Sequence, residues 1–183
     1  MNATTNPQDM AGMITTTCMV SAIIMLNVRH HRFRNAFIIG QIINTALNCV
    51  LKCGVWQQLK PIRYMYSSKP TIIELANSTR GEFQHGWVER CLNQYKMPSA
   101  YMQWLGFALV FVSLVIQSPP VTTCYLIAVI VVGWSLFLST PPQHTLVQLL
   151  TGLLVGSIVA SLVFVFTKRQ IMSENKENQM SPQ

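Results

Sequence analysis

His144, Gln148, Gly152 and Gly156 recur at every fourth position of an apolar run that extends from Gln143 to Thr167. On a helix they form one slowly drifting stripe, and the run is long enough at 1.5 Å per residue to cross a bilayer core of ~30 Å. An imidazole and a carboxamide are expensive facing lipid, so the stripe faces protein or a wet cavity. Such a histidine, at the membrane surface, is placed to act on a lipid headgroup. A second stripe is made by Gln41, Asn44, Asn48 and Lys52, at spacings of three and four. The amides suit interhelical hydrogen bonds, and Lys52 at the far end suits an anion. Pro98 and Ser99 are helix-start residues, and the free N–H groups of a helix start also attract anions. The chemistry these groups share is the binding of a phosphate.

The elements that must position them follow from composition. The chain has 183 residues, half of them hydrophobic and only 10% charged, with mean hydropathy +0.34. A soluble domain averages about 25% charged residues, so the expected class is all-α, a polytopic membrane bundle of about five transmembrane helices. The net charge of +7 is scattered or lies beside apolar runs, without aromatic interleaving, which excludes a nucleic-acid partner. Five cysteines without framework spacing define neither a disulfide scaffold nor a metal site. Cys53 and Cys91 would pair only in an oxidising lumen; free thiols are the preferred reading. No metal or other cofactor is expected.

The organisation reads as an exoplasmic tail (1–10), a membrane domain (11–168) and a disordered cytoplasmic tail (169–183) rich in charge. Spans are expected at 11–28, 35–56, 99–117, 121–139 and 144–167, with a long lumenal loop at 57–98. The basic knot Arg29-His30-His31-Arg32-Phe33-Arg34 joins the first two spans and marks the cytoplasmic side. Its histidines read as part of a solvated loop. The sequons at Asn2 and Asn77 then share the opposite compartment, as glycosylation requires. Following the crossings, Lys52, Lys60, Ser99, Tyr101 and His144 meet at one membrane surface. Gly152 and Gly156 give a G-x-x-x-G face for close approach of a helix partner.

From roughly Ile14 to Thr167 the chain resembles the dolichyldiphosphatases, membrane members of the type-2 phosphatidic acid phosphatase superfamily. The likeness is carried by Lys52 followed at a distance by Lys60-Pro61, by Pro98-Ser99-Ala100-Tyr101-Met102-Gln103, and by His144-Thr145-Leu146-Val147-Gln148 ahead of Leu-Leu-Thr-Gly. The resemblance implies a hydrolase at the lumenal face of the endoplasmic reticulum membrane. It would convert a polyprenyl (dolichyl) diphosphate to the monophosphate and phosphate, serving lipid-carrier recycling for N-glycosylation. It casts His144 as nucleophile, Gln148 as the residue that orients it, and Lys52, Lys60 and Ser99 as phosphate-binding groups. The chain departs from the pattern at three positions. Lys60 stands near a motif arginine, Tyr101 stands where the general-acid histidine is found, and Leu138 replaces a second arginine. The alternative is therefore a catalytically impaired relative that binds lipid phosphate or a membrane partner.

Overall fold

The computed structural model describes residues 7–52, 98–138 and 144–180. Every element among them is helical: α1 (Pro7–Arg29), α2 (His31–Val50), α3 (Ala100–Ile116), α4 (Pro119–Leu138) and α5 (Leu146–Met180). Lys60, both sequons, Cys53, Cys91 and the loop from 57 to 97 lie outside the described residues.

Hydropathy and length separate the helices. Asp9–Val28, Pro119–Leu138 and Leu146–Lys176 are long and apolar enough to cross a membrane. α3 is apolar but has 17 residues, roughly 25 Å of helix against a bilayer core of ~30 Å. The expected five spans are thus three that qualify by length and apolarity, together with two further helices that pack among them. α2 falls short because its inner face is polar. It buries Asn44 and Asn48 while Ile39, Ile42 and Ile43 point outward. Polar residues inside and isoleucines outside reverse the pattern of a water-soluble helix and suit a lipid surround.

Two of the expected boundaries change. The second helix begins four residues earlier than expected, at His31, because one residue, His30, is enough to turn the chain: its N–H bonds Leu26 and its carbonyl accepts from Arg34. The fifth helix does not end near Thr167 but continues to Met180, where a disordered tail is expected from 169. Lys, Glu, Gln and Met are good helix formers, a helix already nucleated upstream extends cheaply, and Arg32 of α2 pairs with Glu174 at 2.8 Å.

The core is aromatic at one end. Phe37, Phe107 and Phe111 are fully buried, with Phe107 and Phe111 stacked at 5.6 Å and Phe37 set against both. Gly40 makes room for this cluster, since a Cβ there would stand 2.6 Å from the Phe107 ring. α1 is tied to α4 through Tyr125, whose hydroxyl donates to the Cys18 carbonyl and shares a hydrogen bond with Ser21, each at 2.9 Å.

Candidate functional site

The polar stripe of α2 meets α3 through one side chain, Gln103, which is fully buried. Its amide nitrogen donates to the carbonyl and to the Oδ1 of Asn44, both at 2.8 Å. Its own Oε1 accepts from Asn48 Nδ2 at 2.5 Å. Asn48 donates also to the Pro98 carbonyl at 3.4 Å, and Asn44 to Gln41 at 2.9 Å. A buried carboxamide is tolerated only when its donors and acceptors are met, and these amides meet one another's. The ladder fixes the rotation of α2 against α3. One helical turn above Asn48 it leaves Lys52, 7% exposed, at the bundle end.

α3 and α5 touch backbone to backbone. A Cβ on Gly152 would stand 2.5 Å from the Ser99 carbonyl, and one on Gly106 2.6 Å from the Leu153 carbonyl. On Gly156 it would fall on the carbonyl of Gln103. The G-x-x-x-G face thus packs within the chain, against the first two turns of α3. At its top the Ser99 N–H donates to the Gln148 carbonyl at 3.2 Å.

The start of α5 is built by a reciprocal cap. Thr145 N–H donates to Gln148 Oε1 at 2.8 Å, and Gln148 N–H donates to Thr145 Oγ1 at 3.4 Å. This is a capping box with glutamine at the third helical position, a T-x-x-Q signal present in the sequence and not read from it as such. His144, half-buried, immediately precedes the cap. Gln148, expected to orient His144, thus spends its side-chain oxygen on the backbone of Thr145.

Ser99 is the N-cap of α3, and its hydroxyl makes no cap bond. The residue is fully buried, and its Oγ has no hydrogen-bond partner among the described residues. A buried hydroxyl without a partner is uncommon in a folded chain, and this one lies at the same end of the bundle as the buried Lys52. Leu138 lies at the end of α4 with its side chain exposed and brings no charge. Tyr101 lies two residues from Ser99, about 200° around the helix. It faces α1 across an open groove with Asp9, Gly12, Met13, Thr16 and Thr17, its hydroxyl 4.0 Å from a Cβ built on Gly12. The structure thus brings together the ends of α2, α3 and α5 that carry Lys52, Ser99 and Gln148, with His144 leading into α5. It turns Tyr101 to a different helix.

Compared with protein-family models, curated proteins and solved structures, the chain matches none.

Proposed function

We propose that this end of the bundle binds the phosphate headgroup of a polyprenyl diphosphate in the membrane, in the manner of a dolichyldiphosphatase of the type-2 phosphatidic acid phosphatase superfamily. The observation that carries the reading is the buried Ser99 hydroxyl, unpartnered among the described residues, at the N-terminus of α3 and beside the Lys52 end of α2. Ammonium groups and helix N-termini stabilise phosphoryl charge, which is where most of the catalytic advantage in phosphoryl transfer lies.

In the hydrolytic reading an imidazole nitrogen of His144 attacks the terminal phosphorus. The bond from that phosphorus to the bridging oxygen breaks, polyprenyl monophosphate leaves, and water then cleaves the nitrogen–phosphorus bond to release phosphate. The leaving group is itself a phosphate, with a second pKa of about 6. It needs less help from a general acid than an alkoxide, for which such help is worth 10²–10⁴-fold. The site would face the lumen of the endoplasmic reticulum and return lipid carrier to N-glycosylation. Phosphate release from dolichyl diphosphate by the purified protein, beside His144→Ala, tests this. Release that falls to background in the variant supports it, and equal release from both rejects it.

A second reading, headgroup binding without turnover, is favoured by one observation: Tyr101, which holds the general-acid position, faces α1 across its groove. Lipid diphosphate retained by the wild type without phosphate release, and lost in Lys52→Met, is its signature.

A further inference from the structure

At the end of the bundle opposite Lys52, two basic segments far apart in the sequence form one surface. The first turn of α2 carries Arg32 and Arg34, and α5 carries Lys168, Arg169 and Lys176 where its apolar run ends. Phe33, between them, stacks on Phe164 of α5 at 5.8 Å, and the Lys168 ammonium sits 6.0 Å over that same ring. The two segments are thus held at one level. α5 then runs past the turn: Glu174 lies about 15 Å along the helix beyond Phe164 and reaches back to Arg32 at 2.8 Å. The patch is far from neutral. Across 29–34 and 168–177 the chain has six lysines and arginines against two glutamates. Among the described residues the Arg34 guanidinium bonds neutral partners, Asn27 at 2.6 Å and Asn35 at 2.9 Å. Lys168, Arg169 and Lys176 are exposed.

We infer that this surface is a docking site for the anionic phospholipid headgroups of the leaflet it borders, with Glu174 as an internal competitor for Arg32. Charge complementarity and position select that occupant. The patch begins where the exposed apolar side chains Val165 and Phe166 end, the level at which a bilayer around the apolar run of α5 would place its headgroups. Juxtamembrane clusters of this kind gain about fivefold in affinity for anionic lipid per lysine or arginine. The Arg32–Glu174 pair is half-exposed, with 52% and 45% of each side chain accessible. A lipid phosphate can therefore displace the carboxylate without unpacking a helix. The inference does not depend on the phosphatase reading, which concerns the other end of the bundle.

Native mass spectrometry of the purified full-length protein, titrated with phosphatidylserine or with phosphatidylcholine of the same acyl chains, tests it. Phosphatidylserine is expected to be retained at least tenfold more tightly. The triple variant R34Q/K168Q/R169Q should lose most of that preference, and E174Q should raise it by about fivefold, because Arg32 is released. The opposite signs of the two variants separate a patch effect from misfolding, which would move both the same way. Equal retention of the two lipids overturns the inference and leaves the patch to a soluble acidic partner. A preference that persists in the triple variant but vanishes in Lys52→Met also overturns it, by placing anionic lipid at the opposite end.

Discussion

Gly156 lies directly on Gln103: a side chain built at the glycine would fall on the glutamine's carbonyl, with the Phe107 N–H 2.9 Å away. Both obstacles are backbone, so no rotamer change relieves them. Gly156→Ala must push α3 and α5 apart, and overpacking of this kind costs about 1–3 kcal/mol or more. Gly133 on α4 is the control. A Cβ there meets only the flexible end of Met102, at 3.5 Å, and alanine gains up to about 1 kcal/mol of helix propensity over glycine. Thermal unfolding in detergent should show Gly156→Ala melting lower than the wild type and Gly133→Ala at least as high.

The fully buried Gln103 side chain makes three hydrogen bonds. Gln103→Leu keeps the volume and leaves the Asn48 and Asn44 amides short of partners. Unmet buried groups cost about 1–3 kcal/mol each, although hydrogen bonds between membrane helices average nearer 0.6 kcal/mol. Melting of Gln103→Leu, Asn48→Leu and the double variant closes a mutant cycle. The double variant should be more stable than the sum of the singles, since it removes donor and acceptor together. Additive losses would mean that the ladder contributes by shape alone.

The packing of this bundle was legible where lipid leaves a residue few alternatives. Glycines four apart in an apolar run permit only close approach, and Gly152 and Gly156 make it. Three amides and a lysine on one stripe cannot face hydrocarbon, and Asn44, Asn48 and Lys52 are buried. What met that stripe was less visible. Gln103 is a single carboxamide in an apolar helix, and Tyr101, the expected site residue on α3, lies on another face of that helix, toward α1. The sign available was spacing: Ser99, Gln103 and Gly106 share a face, and Tyr101 does not. The helical extension of α5 was hidden because composition reports solubility, while Arg32, which pairs with Glu174, lies 142 positions away.

Tyr101 tests which face of α3 matters. With its hydroxyl beside Gly12 of α1 and its ring edge-on to Trp104 at 6.5 Å, Tyr101→Phe should leave phosphate release from a lipid diphosphate within about twofold of wild type. A general acid contributes 10²–10⁴-fold, so a loss on that scale would place the phenol at the leaving group in the working state. Steady-state release with the lipid in mixed micelles distinguishes the two.

The capping box at the start of α5 makes a prediction in which stability and function separate. Thr145→Ala removes one half of the reciprocal cap and should cost about 1 kcal/mol, within the 0.5–2 kcal/mol seen for such caps, while Thr145→Ser should cost little. Gln148→Glu preserves the acceptor for Thr145 N–H and adds a negative charge at a helix N-terminus, which the helix dipole favours by about 0.3–1 kcal/mol. Its melting temperature should therefore match or exceed that of the wild type. The same carboxylate stands at the end of the bundle where Lys52 and Ser99 are proposed to hold a phosphate, and it repels one. Gln148→Glu should thus melt normally yet retain lipid diphosphate less well. If it retained the lipid as tightly as wild type, the phosphate would lie beyond reach of the α5 start, and His144 would lose its place in the proposed chemistry.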